Sequence, residues 1–379
     1  VNELLAAAEA SLNEVLGDIE TLVNIESPSR NVEQVTKSAV ALCELSMRLL
    51  GREATLIESS VGPHVHVGAS VPRVLILGHH DTVHPMGTLA NQPFVNDNGV
   101  LRGPGVFDMK AGIVQATYAV ALLAAQGVDT SGVELLWTSD EEIGSQTSRQ
   151  LIEDRARMVA KSGAVLVLEP SADGGALKIA RKGTGTFEVR ITGRASHAGL
   201  EPEKGVNALI ELSHQVQRIS TFGDASKGTT VTPTVASAGT TDNTVPAEAR
   251  FLVDARVVMP EEKARVEALM SSLTAHLPEA SITVSGSLHR PPMHVSMAEE
   301  LFQVALQAAK DIDGRTLGGV SVGGGSDGNF TAAIGARTLD GLGAVGGGAH
   351  GLSEHVQVDT IAFRIALLAE IISRVLVAQ

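Results

Sequence analysis

Three short runs constrain this chain more than any other feature. VLIL at 74–77, VELLWT at 133–138 and AVLVL at 164–168 are mostly apolar and too short for ordinary helices. Continuous apolar runs of this length suit strands buried on both faces, as in a parallel sheet covered by helices. Between the first two lies KAGIVQATYAVALLAAQ (110–126), which reads as a helix. Strand and helix therefore alternate, the order of an α/β domain. Upstream, Leu4, Leu5, Ala8, Leu12, Val15, Leu16, Ile19 and Val23 recur at helical spacing, and Ala39 to Leu50 reads as a second helix.

After about residue 177 the texture changes. Phe187, Val189 and Ile191 alternate with polar residues, GVNALIELSHQVQRI (205–219) is amphipathic, and TTVTPTVASAG and ARFLVDARVV alternate again. A helix over 261–277 and the strand ASITVSG follow. The order β-α-β-β-α-β is that of a ferredoxin-like α+β domain. The expected organisation is a larger domain, 1–177 and 292–379, with a mostly parallel central sheet flanked by helices, and a smaller inserted domain over 178–291. HRPPMHV (289–295) places two prolines at the return, and helices at 298–310 and 359–378 complete the larger domain. A length of 379 residues suits two domains.

Charge and cysteine content narrow the chemistry. A net charge of −14 lacks the basic footprint that nucleic acid requires. No apolar run reaches the roughly 18 residues of a membrane span, and the opening VNELLAAAEASL carries acids without a basic leader. A cytoplasmic protein with no nucleic-acid or membrane partner is expected; a leader removed in maturation would be compatible with the same sequence. The single cysteine, Cys43, permits neither an intramolecular disulfide nor a thiolate cluster. Any metal here must be held by His, Asp and Glu.

Those residue types gather where strands end. VLIL runs into His79, His80 and Asp81, VELLWT into Asp140, Glu141 and Glu142, and AVLVL into Glu169. In open α/β sheets, ligands bind beyond the carboxyl ends of the strands. GPGVFDMKAG adds Asp108, and GGGAHGLSEHV adds His350. Carboxylates crowded at one crevice repel unless a cation neutralises them. Imidazole and carboxylate without thiolate suit zinc, or else manganese or cobalt. His79, Asp108, Glu142, Glu169 and His350, with water, fit a two-metal hydrolytic site whose ions lie about 3.5–4 Å apart. GGGSDGN (323–329) lacks the lysine of a phosphate loop.

GHHDTV, GPGVFDMKAG, TSDEEIGS, LEPS, GRASHAG, GGGSDGN and AHGLSEHV stand in this order along nearly the whole chain. As a set they resemble the dinuclear zinc family of aminoacylases, carboxypeptidases and acetylornithine or succinyl-diaminopimelate deacylases, most of all the bacterial glutamate carboxypeptidases. The resemblance implies two Zn2+ per subunit, with Co2+ or Mn2+ as substitutes. It makes His79 a ligand, Asp81 the group that hydrogen-bonds and orients that imidazole, and Asp108 the bridge. Glu141 becomes the general base, Glu142 and Glu169 ligands of different ions, and His350 the last ligand. Strand alternation agrees, since positions 79 and 81 face one way and His80 the other.

The same resemblance makes the inserted domain a dimerisation or lid domain of a homodimer. It gives His197 the role of stabilising the oxyanion, in the partner subunit's site, and gives Asn243 and Arg256 the substrate carboxylate. Arg181 and Lys182 add local positive charge. The implied activity is hydrolysis of an amide or peptide bond in a small peptide or N-acyl-amino-acid substrate with a free carboxylate. A water activated by the metals attacks, with Glu141 as base. A glutamate-type carboxypeptidase is the first expectation. An N-acyl-amino-acid deacylase or a dipeptidase is the alternative, because no clearly placed lysine follows LEPSADGG. An inactive metal-binding homologue is the remote one, since base and ligands are all present. His64, His66, His214, His276, His289 and His294 carry no companion ligand pattern, and His84 and His355 read as loop or supporting residues.

Overall fold

A computed structural model describes residues 2–159 and 161–378. The chain divides into two compact units, one formed by 1–180, 295–321 and 326–379, the other by 181–294 and 322–325. The observed boundaries lie three residues beyond the expected 178–291, and 322–325 joins the smaller unit from a distant point in the chain.

The larger unit is built on a six-stranded sheet. From one edge its strands are Thr55–Ile57, His64–Val67, Val133–Thr138, Val74–His79, Ala164–Val167 and Thr338–Leu339. The last four run parallel, and the first two pair antiparallel. All residues of the three strands anticipated from apolar runs are buried, the mark of a sheet covered on both faces. Helix Ala111–Ala125 is apolar nearly all round and packs against the C-terminal helix Val358–Val377. By length and apolarity the stretch Val106–Ala125 could cross a membrane, contrary to the expectation of no such run, but 83% of its most apolar window is buried within the protein. It is a core helix, as an all-round apolar helix in a large α/β domain should be.

At the N-terminus the expected single helix is two, Glu3–Ala10 and Leu12–Val23. At the break, the Ser11 hydroxyl donates to the Ala7 carbonyl (3.0 Å), a local bond that competes with regular helix.

The smaller unit is a four-stranded antiparallel sheet in the order Thr230–Ala238, Glu248–Val257, Gly183–Thr192, Ser281–Arg290. With helices Ala208–Ile219 and Pro260–Ser271 it completes the β-α-β-β-α-β order of a ferredoxin-like fold. Phe187, Val189, Ile191, Phe251, Val253 and Ala255 supply its core. The second helix ends six residues before the expected Leu277. The backbone N–H groups of His276 and Leu277 donate instead to the buried Glu211 carboxylate, at 2.9 and 2.7 Å.

Candidate metal centre

Strand register brings the ligands together. His79 ends the central strand opposite Thr138, and Leu77 lies opposite Val167 on the other side. Two residues on, Glu169 is level with His79, one strand spacing of about 4.8 Å away. The chain after Thr138 turns through Asp140 into a single 3-10 turn, Glu141–Ile143. One sheet edge therefore presents His79, Glu141, Glu142 and Glu169. His79 Nε2 lies 3.8 Å from Glu169 and 3.2 Å from Asp108 Oδ1.

Loops supply the rest. Asp108 sits in the irregular turn Val106–Lys110 ahead of the core helix. His350 lies in the turn between the short strands Gly346–Gly347 and His355–Gln357. Its Nε2 is 3.3 Å from Asp108 Oδ2 and 3.3 Å from Glu142 Oε2. Asp108 thus offers one oxygen to each of two imidazoles, the geometry of a bridging carboxylate. Two groupings have ligand atoms mutually within 4.8 Å: His79 with Glu141 and Glu169, and His79 with Asp108 and Glu142.

The electrostatics suit a cation. Burial disfavours a charged His79, but hydrogen bonding to Asp108 and Asp81 outweighs it and holds the imidazole well above its ordinary pKa. Hydrogen bonding to Asp108, then to Glu142, pushes His350 up to about 10. Burial opposes the Asp108 charge in turn, yet the His350 and His79 contacts hold its carboxyl far below the usual range. Glu142 Oε1 is buried without a hydrogen-bond partner. Two imidazoles that hold protons this strongly against a bridging carboxylate, with an orphaned carboxylate oxygen beside them, fit divalent cations, which would replace those protons.

Asp81 reaches the imidazole through backbone and side chain. His79 Nδ1 is 3.0 Å from the Asp81 carbonyl oxygen, whereas the Asp81 carboxylate is 3.6 Å away. The carbonyl makes the shorter contact. The carboxylate accepts from Ser29 Oγ (2.7 Å) and from the N–H groups of Glu141 (3.2 Å) and Glu142 (3.3 Å). Asp81 therefore ties the histidine ligand to the acid turn. His80 faces away, within 3.2 Å of Ser38 Oγ and of the Pro63 carbonyl, and burial lowers its pKa to about 4.

Other residues brace the site through contacts that local spacing does not record. Ser139 N–H donates to His64 Nδ1 (3.1 Å), so the neutral ring carries its proton on Nε2, 3.2 Å from the Thr147 hydroxyl. That hydroxyl donates to Asp140 Oδ2 (2.8 Å). Asp327 of GGGSDGN, buried, accepts from Thr138 Oγ1 (3.1 Å) and from the Ser145 hydroxyl. Both networks hold the segment that carries Glu141 and Glu142.

His197, Asn243 and Arg256 belong to the smaller unit. His197 is exposed and sits beside the Asn243 segment, where Ala198 N–H donates to the Asn243 carbonyl (2.8 Å). Its Nδ1 accepts from Gly199 and Leu200 N–H at 3.1 and 3.2 Å. Arg256 is bound by both Asp254 oxygens, with its Nη1 donating to the Gly323 carbonyl (2.9 Å).

The chain is 33% identical to carboxypeptidase G2 of Pseudomonas sp. (strain RS-16) over 387 aligned residues, covering 98% of this chain and 91% of that protein. It is 28% identical to succinyl-diaminopimelate desuccinylase of Stenotrophomonas maltophilia (strain R551-3), covering 82% and 86%. The fold matches aminopeptidase PepT of Bacillus cereus with a TM-score of 0.77 at 21% identity, over 96% of this chain and 99% of that one. Residues 75–374 match the model of peptidase family M20/M25/M40. The chain belongs to peptidase family M20/M25/M40 and is a metallohydrolase of amide or peptide bonds.

Proposed function

We propose that this protein is a dinuclear zinc carboxypeptidase acting on small substrates with a free C-terminal carboxylate, glutamate among them. One observation carries the reading: Asp108 directs one oxygen to His79 and the other to His350, with Glu169 on the first side and Glu142 on the second. Zn2+ is the proposed ion, with Co2+ or Mn2+ able to replace it, since the donors are imidazole and carboxylate. His79, Asp108 and Glu169 would hold one ion and Asp108, Glu142 and His350 the other. Bound ions would supply Lewis-acid polarisation and lower the pKa of a water. The relative named carboxypeptidase G2 supports the substrate class.

Glu141 stands beside this ligand set and is proposed as general base. It accepts the proton of the attacking water and returns it to the leaving nitrogen. His197 is suited to the oxyanion. With backbone N–H groups on its Nδ1, the neutral ring carries its proton on Nε2, which can donate to developing negative charge. Arg256 and Asn243 would receive the substrate carboxylate, and Arg256 would share its guanidinium between that group and Asp254. The smaller unit, 178–291 by its sequence pattern, is proposed to mediate homodimer formation and to place His197 in the partner's site. A cytoplasmic location suits an acidic chain with a single cysteine.

Deacylation of N-acyl amino acids is the second reading, favoured by the desuccinylase relative. Kinetics on C-terminal dipeptides and N-acyl amino acids, with and without glutamate, test the proposal. Preference for peptides ending in glutamate is expected. Exclusive cleavage of N-acyl amino acids would replace the first reading by the second.

A further inference from the structure

Glu354 is fully buried in the larger unit, and its carboxylate is saturated. Oε1 accepts from the backbone N–H of Phe107 (2.9 Å) and of Asp108 (3.0 Å), and Oε2 accepts from Gly105 N–H (2.9 Å). His84 Nε2 stands 2.6 Å from Oε2. A carboxylate has about four acceptor positions, and all are used.

The reach has a simple origin. His355 pairs with Arg102 across two short antiparallel strands, so Glu354 lies beside the start of the Asp108 loop. The turn that carries it also carries His350. Gly351 N–H donates to the Gly348 carbonyl (2.9 Å) and Glu354 N–H to the Gly351 carbonyl (3.2 Å). Gly348 has φ +73°, and a Cβ there would lie 2.6 Å from the Ser353 carbonyl oxygen, so only glycine fits. His350 itself has φ +65°. The turn sends His350 to the Asp108 side chain and Glu354 to the Asp108 backbone. One turn grips one ligand at both ends.

We infer that Glu354, backed by His84, is a positioning residue that sets the spacing of Asp108 and His350 and thereby the affinity for divalent metal. The inference rests on the proposed dinuclear site. Partners of metal ligands commonly change metal affinity by about 10- to 100-fold when altered. Glu354→Gln turns an acceptor oxygen into an amide donor facing backbone or imidazole donors. His84→Ala keeps the carboxylate and its three backbone bonds and removes the fourth contact.

The test is Co2+ titration of the full-length metal-free protein, read by visible absorption and by metal content, beside thermal unfolding in chelator. Wild type should take up two ions. Glu354→Gln should bind at least one of them about 10- to 100-fold more weakly, with an altered ligand-field spectrum. His84→Ala should shift both in the same direction by less. Variants that bind Co2+ with wild-type affinity and spectrum, even with lowered melting temperature, would overturn the inference. If Glu354→Gln does not fold, folded His84→Ala with wild-type Co2+ binding overturns it alone. Wild-type protein that takes up no Co2+ would instead overturn the dinuclear reading itself.

Discussion

The two units place most of their candidate functional groups in different environments. In the larger unit His79, Asp81, Glu169 and Glu354 are at least nine-tenths buried, and His350, with 53% of its side chain exposed, is the exception. In the smaller unit His197 and Asn243 are exposed, and Arg256 rests on Asp254 in an ion pair with about a third of each side chain open to solvent. Chemistry is built where geometry is over-determined. On the proposed roles, a substitution in the first region should act on metal content and rate, one at Arg256 or Asn243 on substrate affinity, and one at His197 on rate with metal content intact.

The largest effect is expected at His79. His79→Ala should lose metal, measured by atomic emission, and with it nearly all turnover. Its neighbour gives the contrast: His80→Ala should keep both metals, because His80 bonds Ser38 and the Pro63 carbonyl. It should cost about 1–3 kcal/mol of stability through the buried partners it leaves. If the two variants lost metal equally, the two faces of this strand end would not be distinct in function.

Arg256→Ala comes next. Loss of a charge-assisted contact of about 1.5–3 kcal/mol should raise KM about 10- to 100-fold with metal content intact. A fall in kcat at constant KM would move Arg256 out of recognition and into catalysis.

The smallest effect is a pH dependence in the smaller unit. The hydrogen bond from Arg265, helped by Lys227 and Thr229, lowers the pKa of Glu262 from 4.5 to about 2. A depressed carboxyl pKa adds stability above pH 4.5, and that stability is lost as pH falls toward 2. Glu262→Gln should be less stable near neutrality and should lose less between pH 4.5 and 2, read by urea unfolding. An unchanged acid profile would show that this network contributes nothing measurable.

The same contrast explains what was legible in the sequence. Period and run length exposed the buried strands, and strands that end on His or Glu exposed His79, Glu142 and Glu169. Asp108 and His350 stood in glycine-flanked motifs whose chemistry is specific as a set. Glu354 and Asp327 stand inside the motifs AHGLSEHV and GGGSDGN, but their contacts, like those of His84 and His64, were not legible. These residues act through backbone N–H groups and hydroxyls of segments far away in the chain, and nothing in local spacing records that adjacency. Asp81 lies against the imidazole as expected, but its second contact was not legible: its carboxylate also holds the Glu141–Glu142 turn. Helix ends misled where a side chain captured the terminal N–H groups, as Glu211 does at His276.

On the proposed mechanism, Glu141 performs proton transfer beside a metal pair it does not assemble. Glu141→Ala, assayed for turnover and metal content in one preparation, tests it directly. The expected result is two metal ions per subunit with turnover reduced by about 10²- to 10⁴-fold. Undiminished turnover, or loss of metal in step with activity, would contradict it.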